Sequence, residues 1–228
     1  HDNGNTFARI KQELNSVGYS VYVNIFNTLD FKLPQKRSRV IIFATTENMP
    51  SNFETRFTSE AIKAFFEQEY KSSSVSHYES TLEILSKVVD KKYFLSERLK
   101  PTILADGSAG FKSKSDINQL IARPLTASMH KMHRACQDNY YSQDFIDSNG
   151  AINHVLDYTK EQLAQLDIRK LTPQEAFMLQ GFPAEFATSA QKAKVANGAL
   201  YKQAGNAVSV NVIYAIMLFL IRNNIIHE

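Results

Sequence analysis

A single cysteine in 228 residues leaves no disulfide possible within the chain and suits a reducing, cytoplasmic compartment. Gly 8 and Pro 6 are modest counts, which excludes collagen-like and low-complexity classes, and 43% apolar content excludes a disordered chain. Long apolar runs are missing as well. The longest, VNVIYAIMLFLI (210–221), carries Asn211 and falls short of the ~20 residues that a bilayer span needs, so it reads as a buried helix and no membrane partner is expected. No basic segment leading into an apolar stretch opens the chain, which leaves secretion unsupported. The first residue is His1 and not Met, and this reads as a processed, cut or designed start. An excess of charge is also lacking: 26 Lys+Arg against 23 Asp+Glu gives +3, which neither demands nor excludes a polyanionic partner. A chain of this length can bury about 70% of its unfolded surface, as one large domain or two small ones.

What is present begins with TFARIKQELNSVGY, where Phe7, Ile10, Leu14 and Val17 share one helical face and Gly18 offers a stop. Two strand-like runs follow, YSVYVNIF (19–26) and RVIIFATT (39–46), joined by the polar NTLDFKLPQKRS. One hairpin is marginal alone, so this part expects neighbours that the chain does not contain. Further on, TSEAIKAFFEQEY (58–70) and STLEILSKVV (80–89) read as helices from their Thr or Ser starts. DGSAGFKSKSD (106–116) is loop-rich, and LIARPLTASMHKMHRACQDNYYSQDFID (120–147) reads as short strands with basic connections. Positive charge gathers there, five Lys or Arg against Asp116 between Lys112 and Arg134, and again with four basic residues from Lys32 to Arg39. Such runs are commonly no more than solvated faces. In LTPQEAFMLQGFP, Thr172 fits an N-cap, Pro173 the first helical position and Glu175 a capping box, with Gly181 as terminator. The last helix is expected to start at Asn206, as N-cap after Gly205.

Three segments, LPQKRSRVIIF (33–43), RKLTPQEAFMLQGFP (169–183) and YKQAGNAVSVNVI (201–213), resemble in wording, order and spacing the closing motifs VIII, IX and X of the DNA cytosine-5 methyltransferases. The opening HDNGNTF is similar to the residues that follow that family's Glu-Asn-Val block. The resemblance implies an α/β fold: the C-terminal portion of a Rossmann-like methyltransferase sheet plus a smaller, mixed α+β target recognition domain. Its implied divisions are residues 1–48 for the end of the catalytic domain, 49–190 for the recognition domain with motif IX, and 191–228 for motif X and the returning helix. The implied activity is transfer of a methyl group from S-adenosylmethionine to C5 of a flipped cytosine in double-stranded DNA, in a restriction-modification setting.

By the same resemblance Arg37 and Arg39 support catalysis, one gripping a backbone phosphate and the other the flipped base and the catalytic Glu. Alternation at a strand entrance would put both on one face, where planar, always charged guanidiniums make bidentate contacts. Asn206, Ala207 and Val208 are expected beside the cofactor. Arg169 and Lys170 are expected to organise the junction between the two domains. Gln174 stands where most members have Arg, and Ala207 where many have Ser. For DNA the expected contacts are Gln35, Arg37, Arg123, Thr126, Lys131, Arg134, Asn139 and Tyr140, which supply charge, amide and aromatic chemistry in a compact region. Pro124 stands where Thr is common, so a hydroxyl contact would fall to Thr126 or Ser128.

The family's nucleophile lies in a Pro-Cys-Gln loop, its acid in Glu-Asn-Val and its cofactor on a glycine-rich turn; none of the three occurs in this sequence. Cys136, followed by Gln137, lacks the Pro and falls in the recognition stretch, so it is not expected to be the nucleophile. His130, His133 and Cys136 are evenly spaced, but a structural zinc site wants four ligands and Lys131 and Arg134 would repel a cation, so no metal is expected. The expected partners are duplex DNA and a complementary N-terminal catalytic half, and the chain alone is expected to be inactive. The rival reading is a non-catalytic DNA-binding or regulatory module.

Overall fold

A computed structural model describes residues 4–107, 110 and 113–226. The first three residues of HDNGNTF, and residues 108, 109, 111 and 112 of the 106–116 loop, lie outside the described residues.

The elements run α1 (Asn5–Ser16), β1 (Ser20–Asn27), β2 (Ser38–Thr45), α2 (Phe53–Arg56), α3 (Ser59–Glu69), α4 (Lys100–Leu104), β3 (Tyr140–Ser142), α5 (Gln143–Asp147), α6 (Lys160–Leu163), β4 (Ile168–Lys170), α7 (Pro173–Met178), α8 (Glu185–Lys192), α9 (Asn197–Asn206) and α10 (Val210–Arg222). The result is mixed α/β. β1 and β2 form the expected antiparallel hairpin, in register from Ser20↔Thr45 to Asn27↔Ser38, and β3 pairs antiparallel with β4. Period-two alternation sends Tyr22, Phe26, Ile41 and Phe43 inward, where they pack with Phe31, Phe53, Phe57, Ile62 and Phe66. The opposite face stays bare, with Ile25 58%, Val40 54% and Ile42 36% exposed. α1 buries nothing: Phe7, Ile10 and Val17, the apolar face read from the sequence, point to solvent.

The apolar body of α10 fills the same core, through Val212, Ala215, Ile216, Phe219 and Leu220. α10 therefore packs back on the hairpin. The helical stretch Asn197–Arg222 is long and apolar enough to cross a membrane by length and composition, yet half of its most apolar window is buried inside the fold, and an extended link at 207–209 divides it into α9 and α10. Packing also attaches α2 and α3 to the hairpin and α10, whereas the sequence reading placed them with residues 49–190. A second core joins Leu125 and Met129 to Phe145, Phe177, Leu200 and Tyr201, and a third joins Ile103 and Leu104 to Tyr140, Leu163 and Ile168.

Local expectations fare unequally. α3 starts where Thr58 accepts a hydrogen bond from the Ala61 amide, as its N-cap position predicts. The 80–89 segment is not a helix; only Thr81–Glu83 turns, as a 3₁₀ element. There the Glu83 carboxylate accepts from the amides of Glu79 and Ser80, while Ile84 and Leu85 are drawn into the core and leave the helical path. Between 120 and 147, Tyr140–Ser142 is the one strand among the described residues; a 3₁₀ turn at Met129–Lys131, a helix and irregular chain replace the rest.

Candidate functional site

Four segments distant in sequence meet at one junction: 33–37 before β2, 122–127, 179–181 after α7, and 204–211 between α9 and α10. Gln35, fully buried, donates from Nε2 to the Leu179 carbonyl at 2.9 Å and accepts from the Leu125 amide at 3.0 Å. Beside it, the Ala122 amide donates to the Pro34 carbonyl at 2.7 Å. Arg37 is 2% exposed and divides its guanidinium between Leu125 O at 2.6 Å, Gly205 O at 2.8 Å and Ala207 O at 3.1 Å. Two of these acceptors are orphan carbonyls at the C-terminal end of α9, where the helix dipole favours a cation. Burial, and secondarily the charge of Arg39, lowers the Arg37 pKa to about 10, which still leaves it charged at neutral pH.

Gly205 completes the joint. A Cβ there would overlap the Thr126 carbonyl and the Ala127 nitrogen, so only glycine lets α9 lie directly on that backbone. The Gln180 side chain donates to Ala204 O at 3.0 Å, the Val210 amide to Gln180 O at 2.8 Å, and Asn211 to Phe31 O and Ser76 O at 2.8 and 2.9 Å.

These contacts correct several sequence expectations. Gln35 and Arg37, expected as surface contacts, are buried and hydrogen-bonded within the junction; Arg37 also precedes β2 and does not share a strand face with Arg39. Asn139 is buried with its amide paired to both backbone groups of Arg123, and the buried Tyr140 donates its hydroxyl to His133 O at 2.7 Å, so neither faces a groove. Asn206 is not an N-cap. It ends α9, and Ser209 precedes α10, so this segment turns a carbonyl-rich helix end toward Arg37, where a helix start at Asn206 would have presented amides. An interrupted apolar pattern in ALYKQAGN concealed α9, and the Gly-Asn pair then looked like a start.

The remaining expected residues are at the surface. Arg39 is exposed at the edge of the hairpin, its Nη1 resting on Ser38 O. Asn206 is exposed, Ala207 half-buried and Val208 43% exposed. Lys131 is exposed, and half-buried Arg123 and Arg134 lean on the carbonyls of Asp116 and Asp106 at 3.3 and 2.9 Å. Thr126 lines an open groove of about 370 Å³ together with Pro124, Ser128, His133 and Gln137. His133 and Gln137 also line a neighbouring hollow of about 460 Å³ with Met132, Arg134 and Cys136. The sequence reading weighs His133 only as a metal ligand and Gln137 only as the neighbour of Cys136, because nothing in the spacing of a basic loop shows which side chains line a groove. No group of three or more His, Cys, Asp or Glu able to hold a metal occurs among the described residues.

Behind the groove, buried Asp138 accepts from the His133 amide at 2.8 Å and holds its carboxyl above the ordinary range because burial disfavours its charge. On β4, which pairs with β3 at Tyr141↔Arg169, Arg169 forms a bidentate pair with Glu175 of α7 at 2.9 and 2.8 Å, the two side chains 0% and 1% exposed. The same carboxylate closes the Thr172 capping box at 2.7 Å and accepts from the Ser86 amide at 2.9 Å, while Arg169 donates to Ser86 O. One pair thereby locks β4, α7 and the 86 loop together.

The family model for C-5 cytosine-specific DNA methylases matches residues 1–222. The chain belongs to this family. It is 31% identical over 218 residues to the Type II methyltransferase M.HaeII of Haemophilus aegyptius, covering 95% of this chain and 55% of that protein. To M.SsoII of Shigella sonnei, also a Type II methyltransferase, it is 32% identical over 223 residues, covering 95% and 48%. It spans about half the length of the curated relatives it matches. Among solved structures, the S. pombe Dnmt2 methyltransferase superposes with a TM-score of 0.68 at 17% identity over 98% of this chain and 64% of that one. The Entamoeba histolytica methyltransferase EhMeth gives 0.64 at 18%, over 96% and 58%.

Proposed function

We propose that this methylase-family chain is the duplex-reading and cofactor-bordering part of a site-specific DNA cytosine-5 methyltransferase of a restriction-modification system, and that a complementary catalytic half supplies the nucleophile and the acid. The observation that carries the reading is the Arg37 junction, where one guanidinium ties the hairpin end, the floor of the basic groove and the 205–207 segment into a single body. A base presented from the groove side would thus meet a cofactor side fixed relative to it, as orientation-dependent catalysis requires.

Asn206 and Val208, one polar amide and one apolar side chain on an exposed ridge, fit one wall of an S-adenosylmethionine site. That cofactor supplies the methyl group when bound. On this reading the duplex contacts fall to Arg39, Lys131, Arg123, Arg134 and Thr126, which are exposed or half-buried. The bare face of Ile25, Val40 and Ile42, with the apolar side of α1, is suited to cover by the remaining catalytic domain. The sole cysteine supports division of labour: Cys136 lines the outer hollow with Arg134 and does not belong to the junction.

The test is transfer of a labelled methyl group from S-adenosylmethionine to DNA, by the chain alone and after co-expression with the complementary half, followed by bisulfite mapping. No transfer alone and restored site-specific methylation together is the expected outcome. Transfer by the chain alone would overturn the split of functions, and DNA binding without methylation in either case would favour a non-catalytic regulatory module.

A further inference from the structure

Once Asn139, Tyr140 and Tyr141 are seen to be buried, the basic region needs another source of base-edge chemistry. Gln137 is exposed, lines both hollows of the groove, and its side-chain amide has no partner among the described residues. Its backbone, by contrast, is held from several directions. The amides of Gln137 and Asp138 both donate to Arg134 O, at 2.8 and 3.1 Å. His133 is pinned at its amide by Asp138 and at its carbonyl by Tyr140, and the Ala135 amide donates to Ile103 O at 2.8 Å. The facing wall, 124–128, is fixed by Gln35 and Arg37 through Leu125, and Ser128 Oγ lies 3.0 Å from His133 Nε2. A free amide on an immobilised turn, with Arg134 lining the same hollow and Lys131 exposed at the preceding 3₁₀ turn, is the arrangement that base reading needs: cations to set the register on the phosphates, and a pre-positioned donor-acceptor pair to read the edge.

We infer that Gln137 reads an adenine in the major groove of the bound duplex, its Nε2 donating to N7 and its Oε1 accepting from the exocyclic N6 amine. The inference rests on the duplex-reading role proposed above. Among the side chains lining both hollows, Gln137 presents a donor and an acceptor side by side, the pattern that adenine complements and the other bases do not match in both positions.

The full chain is incubated with a pool of duplexes carrying a randomised segment, and retained DNA is sequenced for the wild type, Gln137→Ala, Gln137→Glu and, as a control, Lys131→Ala. Adenine should be enriched by the wild type at one position, and Gln137→Ala should reduce that preference at least fivefold while leaving the other positions and the thermal unfolding midpoint unchanged. Gln137→Glu should move the preference toward cytosine, whose N4 amine a carboxylate can accept. Lys131→Ala should weaken retention of all sequences alike. An unchanged base preference in both Gln137 variants overturns the assignment while leaving duplex binding intact. Failure of the wild type to retain any duplex overturns the duplex-reading role, and this assignment with it.

Discussion

A guanidinium buried among three carbonyls is a different object from one waiting for a phosphate, and Arg37 makes the difference measurable. Each hydrogen bond from a charged donor contributes about 1.5–3 kcal/mol, and a lysine, as a compact point charge on a flexible stem, cannot reproduce a planar fork that spans Leu125, Gly205 and Ala207. Arg37→Lys should therefore destabilise the fold by about 3 kcal/mol in denaturant unfolding, whereas Arg39→Lys at the exposed edge should change it by less than about 0.5 kcal/mol. Asp138 offers a second test. Its folded pKa lies above the ordinary 3.8, so the folded state holds the proton more tightly than the unfolded one. This carboxyl's contribution to stability accordingly declines as pH climbs from 3.8 through the raised folded value. Asp138→Asn keeps an acceptor for the His133 amide and should remove that decline, read as a flatter unfolding midpoint across the acidic range.

At the level of elements, the capping box of α7 was legible because Thr172, Pro173 and Glu175 act on their own backbone within a few residues. Its larger role was not legible. Nothing in RKLTPQEAF announces that Glu175 also neutralises Arg169 and fixes the 86 loop, since that requires knowing which segment folds across it. Thr172→Ala, which loses only a cap, should cost about 1 kcal/mol, while Glu175→Ala, which strands a fully buried guanidinium, should cost about 3–5 kcal/mol. The same contrast explains the failed helix at 80–89. Its Ser80 and Glu83 signal is real but local, and the burial of Ile84 and Leu85 decides the path beyond it. α9 was missed for a related reason: Gly205, a poor helix former, sits inside it because the backbone of Thr126 and Ala127 leaves no space for a side chain.

For the molecule as a whole, the hairpin, α1, α3 and the buried nature of α10 could be read from periodicity, and family membership from three ordered segments. Division of the surface could not. Charge clustering marks a basic neighbourhood between 123 and 134, yet composition does not reveal which polar side chains beside it are spent internally, as Asn139 and Tyr140 are. The exposed cations that remain predict a salt-dependent duplex contact. If about four phosphates are neutralised, retention should fall roughly a hundredfold between ~50 and ~200 mM salt; an affinity indifferent to salt would remove the basic groove from consideration.

The Arg37 junction also has a temporal side. Its acceptors on α9 lie 168 and 170 residues downstream, and α10, which completes the hairpin's core, follows them. During synthesis the hairpin must wait with a bare charge and an open apolar face until α9 and α10 have emerged. Closure on such long contacts is slow because loop entropy is lost before the contact is gained. This part of the fold should thus close only once the segment through α10 has left the ribosome, and a chain stopped before Gly205 should accumulate as an aggregation-prone intermediate.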